Sequence, residues 1–165
     1  MRALLIWFGQ RHTPAIRQTG AEAATAVRAG HKAHAILIGH LPPYDAGRQG
    51  DPKHWRPMSP RASLAQWQTA IGRDDVVLFC GYQHYPVDLA RHCSRVGARL
   101  TCVCLGQHEY EADRSKGVRF IDAGWPLGDA LVTLPGYDVA AFAPSGIIET
   151  AAYWMVVVET AAQLR

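Results

Sequence analysis

DVVLFCGYQHYPVDLARHCSRVGARLTCVCL, residues 75–105, decides the fold class of this chain. It opens with an apolar run at 75–80, passes through Pro86 into a stretch with helical spacing that stops at Gly97, and closes with a second apolar run at 99–105. Continuous apolar runs of this length are typical of strands that are buried on both faces. Proline is favoured at the first position of a helix and glycine just after its last. The pattern therefore predicts a strand, a helix and a second, parallel strand, which is the repeating unit of an α/β sheet.

The same alternation extends in both directions along the chain. Helices are predicted at 14–30, 63–71, 86–96 and 145–164. Strands are predicted at 33–38, 54–58, 75–80, 99–105, 118–122 and, as a short strand or extended segment, 131–134. Pro14 is expected in the first turn of the first helix, Gly30 at its C-terminal cap, and Ser63 at the N-cap of the second. The apolar residues 3–8 fit a strand or a buried helix, and we favour the helix.

These elements predict a single domain over residues 1–165, of three-layer α/β/α architecture with about five mainly parallel strands. In such a sheet every strand-to-helix loop lies at one edge, and ligands bind there, near the carboxyl ends of the strands. The sequence therefore places a binding site in the loops at 39–43, 81–86 and 106–109.

Composition and charge argue against several classes of protein, namely nucleic-acid-binding, membrane-spanning and secreted proteins. The 165 residues are 48% hydrophobic and 19% charged, as in an ordinary globular domain, and the net charge of +3 is scattered rather than clustered. Scattered charge argues against a nucleic-acid partner and suits a small anionic ligand. No apolar stretch approaches the roughly 18 residues of a membrane span, and the N-terminal apolar run is short for a secretory signal. The four cysteines form no disulfide framework, so we expect a cytoplasmic protein that does not bind a membrane.

Two blocks of sequence resemble the sugar isomerase (SIS) family of phosphosugar-binding domains. The first, at 74–90 and 95–103, has a strand that ends in a loop, a helix led by Pro86, and the G-A-x-L-x-x-V start of the next strand. The second contains DAGWPLGDA at 122–130 and the Pro-Ser turn before the final helix. Together the blocks cover roughly residues 74–164. The resemblance implies an SIS-like fold that binds a sugar phosphate or similar small anion, with sugar-phosphate isomerase chemistry as its enzymatic form and with no cofactor and no metal.

The resemblance and the edge of the sheet together nominate nine site residues. The catalytic candidates are His84 and Glu149. The ligand-binding candidates are Gly39, His40, Gly81, Tyr82, Gln83, Tyr85 and Ser145. The family carries serines and a threonine in the loop after the central strand, S-x-S-G-x-T, whereas this chain has CGYQHY at 80–85. The unpaired N–H groups of the following helix remain, and the glutamine, histidine and tyrosine side chains can donate hydrogen bonds in place of the hydroxyls.

Each nominated residue also has a structural interpretation. His84 fits a solvent-exposed loop position, and the pair at 39–40 fits a plain turn at the end of a strand. Ser145 is favoured as the N-cap of the last helix over a ligand contact. Glu149 and Glu159 are each expected at an exposed or paired position on the rim of that helix, which is the commoner place for a glutamate.

The cysteines suggest two further kinds of chemistry. Cys102 and Cys104 would face the same side of a strand and, with His108, could hold a metal ion. Cys80 with His84 would be a candidate nucleophile and base. Buried core thiols are the favoured interpretation of all of these cysteines.

The final helix and the irregular segment at 41–60 point to partners. Because the helix is apolar on nearly all sides, it is expected to be buried on more than one side. The SIS resemblance then implies a homodimer or higher homo-oligomer. An alternative function is a non-catalytic regulatory or assembly module that keeps the SIS-like fold. In that case the proline- and glycine-rich segment 41–60 would contact a partner protein.

Overall fold

The computed structural model of the protein describes residues 2–38, 54–81, 85–105, 117–124, 132–133, 135–136, 140–141 and 144–165. Within these ranges the helices are α1 (Arg2–Arg28), α2 (Leu64–Ala70), α3 (Val87–Val96) and α4 (Pro144–Leu164). The strands are β1 (Ala33–Leu37), β2 (Trp55–Met58), β3 (Val76–Cys80), β4 (Arg99–Cys104), β5 (Val118–Asp122), β6 (Val132–Thr133) and β7 (Ala140–Ala141). The order of the predicted helices and strands is confirmed; α1 begins far earlier than residue 14, β7 was not predicted, and the other boundaries shift by a few residues.

Five strands form one sheet in the order β2-β1-β3-β4-β5, and every neighbouring pair is parallel. Ala35 of β1 is in register with Leu78 of β3, which is in turn in register with Thr101 of β4. The short strands β6 and β7 pair with each other in antiparallel fashion, apart from this sheet. The prediction of about five mainly parallel strands is therefore confirmed.

Helices cover both faces of the sheet. On one face, α1 and α4 pack on the side chains of alternate strand residues such as Leu78 and Val103. On the other face, residues of α3 such as Leu89 pack on the intervening strand residues, including Val77 and Phe79. Successive side chains of a strand point to opposite faces of the sheet. Strands that are apolar along their whole length therefore contribute side chains to the hydrophobic core on each face. The α/β fold with three α/β/α layers is the predicted class.

Helix α1 is longer than predicted, and Pro14 lies inside it rather than in its first turn. Residues 3–8 are helical, as favoured. Proline removes one backbone hydrogen bond and ordinarily kinks or ends a helix. Here Phe8 and Ile16, on either side of Pro14, are 1% and 2% exposed. Their burial favours continuation of the helix across the proline, so tertiary packing overrides the local signal.

Helices α1 and α4 run side by side in the same direction. Gly20 of α1 lies against Glu159 of α4, and farther along both helices the Arg28 guanidinium donates to the carbonyl of Gln163. A Cβ atom at Gly20 would lie 2.6 Å from Glu159 Cγ and 2.7 Å from Glu159 Cβ. Glycine at this position therefore permits the close approach of the two helices. None of the described helices has the length and apolar character that a membrane crossing requires.

The predicted helix ends are largely confirmed. The Ser63 hydroxyl accepts a hydrogen bond from the backbone N–H of Gln66 at 3.3 Å, and Gln66 Oε1 accepts one from the N–H of Ser63 at 2.7 Å. This reciprocal pair is a capping box. Gly30 and Gly97 follow α1 and α3 with φ of 84° and 80°, a left-handed conformation that glycine adopts without strain. Helix α3 begins at Val87, one residue later than predicted.

A buried carboxylate ties together the amino edge of the sheet. Asp75 accepts backbone hydrogen bonds at 2.8 Å from both Lys32 and Gly72, and its Oδ2 lies 3.3 Å from His34 Nε2. Asp75 and His34 are 4% and 3% exposed. Burial lowers the pKa of His34, and the neighbouring Asp75 partly opposes this shift. The cluster joins the turn after α1 to the turn after α2, so both strands that follow begin at the same level.

Candidate functional site

The order of the strands reverses between β1 and β3. From β1 the chain moves outward to β2, whereas from β3 it moves the other way, to β4 and then β5. The carboxyl ends of β1 and β3 are adjacent, since the N–H of Ile38 donates to the carbonyl of Cys80 at 2.7 Å. In open α/β sheets a crevice forms where the loops leave in opposite directions, and ligands bind in it. The carboxyl ends of β1 and β3 are therefore the candidate site.

Four of the nine nominated residues are described, and all four belong to segments at this edge: Gly81, Tyr85, Ser145 and Glu149. The other five, Gly39, His40, Tyr82, Gln83 and His84, lie outside the described residues. Gly81 directly follows β3 and is held there by its N–H, which donates to the carbonyl of Val103 at 2.9 Å. The loop that was predicted to hold the ligand thus leaves the sheet beside the end of β1.

Tyr85 leads from the loop into helix α3 but turns its ring toward the core. It is 6% exposed and belongs to the core on the α3 face of the sheet. The centroid of its ring lies 6.5 Å from that of Phe120 in β5. Tyr85 therefore anchors the start of α3 with its ring, and the ligand role predicted from the sequence would depend on its hydroxyl.

Helix α4 brings its buried first turn to the site. The helix begins at Pro144, one residue before the predicted start, so Ser145 lies in the first turn and the N-cap prediction is wrong. The physical reason is that proline suits the first helical position, where its missing N–H has no partner to lose. Pro144, Ser145 and Gly146 are all buried, and Ser145 is 1% exposed. The Ser145 hydroxyl and the first turn of this helix are thereby held away from bulk water.

Glu149, one turn farther along α4, is 0% exposed, so of the two positions expected for it, exposed or paired, the exposed one is wrong. The backbone of α4 aims this position inward, together with the buried residues Ile148 and Ala152. Its carboxylate acts on the thiols at the carboxyl ends of β3 and β4. Burial raises the pKa of Cys80 well above its usual value, and the charge of Glu149 raises it further. Burial and then Glu149 raise the pKa of Cys104 to about 12.

The cysteines serve as core residues. All four are free and buried, as favoured from the sequence. Because the raised pKa keeps Cys80 protonated at neutral pH, it is a poor nucleophile, which removes the thiol alternative. Among the described residues no group of three or more histidine, cysteine, aspartate or glutamate side chains is arranged to hold a metal ion. His108, the third member of the predicted metal triad, lies outside those residues.

Sequence reasoning missed one titratable group near this edge, His12 of α1. It is 8% exposed, and its ring centroid lies 5.0 Å from that of Phe8. Burial chiefly lowers its pKa, with a further contribution from Arg11, while Asp122 at the end of β5 opposes the shift. A helix that continues through Pro14 would have revealed the residue, because His12 then lies four positions from both Phe8 and Ile16 on the buried stripe.

The edge therefore combines the starts of two helices, a buried hydroxyl and a buried carboxyl group. Helix starts and hydroxyls suit an anion, whereas a carboxylate accepts hydrogen bonds from hydroxyl groups or takes a proton. No protein-family model matches this chain, and a search of curated proteins finds no match. The resemblance of residues 74–164 to SIS domains therefore stays a prediction.

Proposed function

We propose that the carboxyl edge of the sheet binds a sugar phosphate or a similar small anionic ligand, in the manner of an SIS-like domain. The observation that carries this proposal is the reversal of strand order between β1 and β3. Two of the three loops nominated from the sequence, at 39–43 and 81–86, follow β1 and β3 at this reversal, and the buried start of α4 belongs to the same edge. The location of the site thus has support that is independent of the family resemblance.

The two helix starts and the carboxyl group suit different parts of such a ligand. Helix α3 follows the loop at 81–86 directly, and the positive dipole end of its first turn favours the phosphate. The Val87 N–H already donates to the carbonyl of Tyr85, and the charge of Asp88 in the same turn partly opposes the dipole. The negative charge of Glu149 disfavours a phosphate beside it and suits the hydroxyl groups of the sugar. The phosphate is therefore assigned to the start of α3 and the sugar to the side of Ser145 and Glu149.

An isomerase reaction would extend this binding role. Glu149 would take the proton from the carbon next to the sugar carbonyl, leaving an enediolate. A proton would pass from the neighbouring hydroxyl oxygen to the former carbonyl oxygen, and Glu149 would return its own proton to the former carbonyl carbon. Such a step conserves electrons and needs no oxidant or metal. A base in this role must lie within hydrogen-bond reach of the proton it moves, and the position of Glu149 one turn into α4, at this edge of the sheet, supports the role.

The test is a thermal-shift screen of the full chain against phosphosugars, the matching free sugars and inorganic phosphate. A ligand at about 100 times its Kd adds roughly 2.7 kcal/mol of stability, which raises the Tm of a domain of this size by several degrees. We expect a shift with a phosphosugar and none with its free sugar. The double variant Gln83→Ala and His84→Ala should abolish the shift, whereas the matched control Gln10→Ala and His31→Ala, on and just after α1, should retain it.

Glu149→Gln separates binding from catalysis, because the amide keeps the shape of the side chain but cannot take a proton. Retained affinity with lost turnover would support the isomerase role. If no phosphosugar shifts the Tm, the proposal is wrong, and the alternative of a non-catalytic regulatory or assembly module takes its place. The replacement of the family's serines and threonine in the 80–85 loop is the observation that favours this alternative.

A further inference from the structure

A groove separates α2 from α3 on the outer surface of the α3 face. Its volume is about 230 Å³, and it is lined by Leu64, Gln68, Asp88, Arg91, His92 and Arg95. The groove shares Asp88, in the first turn of α3, with the candidate ligand site, and its other lining residues lie on α2 and farther along α3. In most of its lining the groove is therefore distinct from that site.

One arginine of the groove is held in place by a buried histidine. His92 is 4% exposed, and its Nε2 lies 3.1 Å from the carbonyl oxygen of Ile71. Its Nδ1 lies 3.2 Å from a guanidinium nitrogen of Arg95. A carbonyl only accepts hydrogen bonds and a guanidinium only donates them, so the ring must carry its proton on Nε2. His92 thus fixes the guanidinium of Arg95 before any partner binds, which reduces the entropy cost of binding.

The groove carries an excess of positive charge. Arg91 and Arg95 are four residues apart on α3, a spacing at which like charges destabilise a helix. Asp88 is the acidic residue in the lining, and its Oδ1 lies 3.6 Å from Nη1 of Arg91. Arg73 adds a further positive charge near the end of α3, since its side chain would be 3.8 Å from a Cβ atom at Gly97. An incoming carboxylate would relieve the repulsion between the two arginines.

Helix α2 presents apolar surface beside this charge. It has no buried residue, and Leu64 at the mouth of the groove is 39% exposed. The opposite flank of α2 borders a second, mainly apolar hollow lined by Ala65, Gln66, Thr69 and Ala70. Trp67 packs partly against the core on the α3 face, whereas the flank of α2 that carries Leu64 stays exposed, and the capping box supports the start of this seven-residue helix. A partner that covers α2 would supply the missing apolar contact.

We propose that the groove between α2 and α3 docks an acidic segment of a partner protein. Acidic side chains of the segment pair with Arg91 and Arg95, and an apolar side chain packs on Leu64. A free small anion fits less well, because the Arg91 side chain is 68% exposed and offers an ion little shelter from water. A nucleic acid fits less well because Asp88 would face its phosphates and no aromatic residue lines the groove for stacking.

The test measures binding of a fluorescein-labelled synthetic peptide of alternating glutamate pairs and leucine pairs to the full chain by anisotropy. We expect saturable binding that weakens as salt rises, since the Debye length shortens. The double variant Arg91→Gln and Arg95→Gln should weaken binding about tenfold, or about 1.4 kcal/mol. The control Arg17→Gln and Arg165→Gln removes the same charge from exposed positions on and after other helices, and should change binding less than twofold.

A second pair of variants tests the apolar contact. Leu64→Ser should weaken peptide binding severalfold, whereas Val158→Ser, at a 64% exposed position on α4, should leave it unchanged. Equal weakening by both arginine pairs would show general charge attraction and overturn the proposal. Citrate binding at the peptide's affinity, or binding of single-stranded RNA in place of the peptide, would likewise overturn it in favour of a small-anion or nucleic-acid site. Circular dichroism of each variant verifies that it is folded.

Discussion

The contact between α1 and α4 at Gly20 offers a sharp test of the packing. In the variant Gly20→Ala, the new Cβ atom would lie 2.6 Å from Glu159 Cγ, 2.7 Å from Glu159 Cβ and 3.1 Å from the backbone nitrogen of Thr160. Carbon atoms in contact normally stay about 3.5 Å or more apart. Two of the three clashing atoms are close to or in the backbone of α4, so a side-chain rotation cannot remove the overlap and the helices must separate.

The expected magnitude combines two opposing terms. Overpacking of a close contact costs about 1–3 kcal/mol, and the overlap at Gly20 belongs at the upper end. Replacing glycine by alanine inside a helix raises the free energy of unfolding by roughly 1 kcal/mol, because alanine has the higher helix propensity. The net effect of Gly20→Ala is therefore a loss of about 2 kcal/mol in the free energy of unfolding. Gly9→Ala is the matched control, because Gly9 lies in the same helix and a Cβ atom there meets nothing within 4 Å.

The assay is chemical denaturation followed by circular dichroism, with both variants compared to the parent chain. Gly9→Ala should raise the free energy of unfolding by up to roughly 1 kcal/mol, so the two variants should differ by about 3 kcal/mol. The same chemical change is made in the same helix, so effects on the unfolded chain largely cancel. If Gly20→Ala is as stable as Gly9→Ala, the close approach of α1 and α4 is refuted.

Two further predictions concern buried titratable groups. Burial lowers the pKa of His34 and of His12, so below about pH 6.5 the unfolded chain binds protons that the folded chain does not, and stability should fall as the pH drops toward 5. His34→Gln should flatten this slope, measured by denaturation at a series of pH values, and an unchanged slope would contradict the assignment. The four buried cysteines, with the pKa of Cys93 and Cys104 raised to about 12, should react with a thiol reagent only as fast as the protein unfolds. A native thiol that reacts at the rate of a free one would show that burial does not protect it.

Local sequence signals predicted well where several helices begin and end. Ser63 is the N-cap that the sequence suggests, with Gln66 completing a capping box, and Gly30 and Gly97 end their helices in left-handed conformations. These features depend on residues within one turn of each other, so they can be inferred without knowledge of the rest of the fold. Pro14 is the exception. The sequence does not distinguish a proline in the first turn of a helix from a proline inside a helix that tertiary packing stabilises.

The sequence predicted the location of the candidate site better than it predicted which residues line the site and how buried they are. The carboxyl edge follows from the alternation of strands and helices, so Gly81 and the start of α3 were found from the sequence. Glu149 was nominated, but its burial was not expected. From sequence alone, a glutamate on an apolar helix is predicted at the rim of the helix, and only the packing of α4 on the sheet shows that this position faces the core. His12 was missed because the helix that orients it was predicted to begin two residues later, at residue 14.

By itself, the sequence determined the α/β class and the parallel sheet, because apolar runs and their glycine and proline boundaries are local properties. Only the tertiary structure decided the order β2-β1-β3-β4-β5, the burial of Glu149 and the groove that Arg95 lines with His92. Each of these depends on which distant segments become neighbours, and that choice is made by the packing of whole helices on the two faces of the sheet.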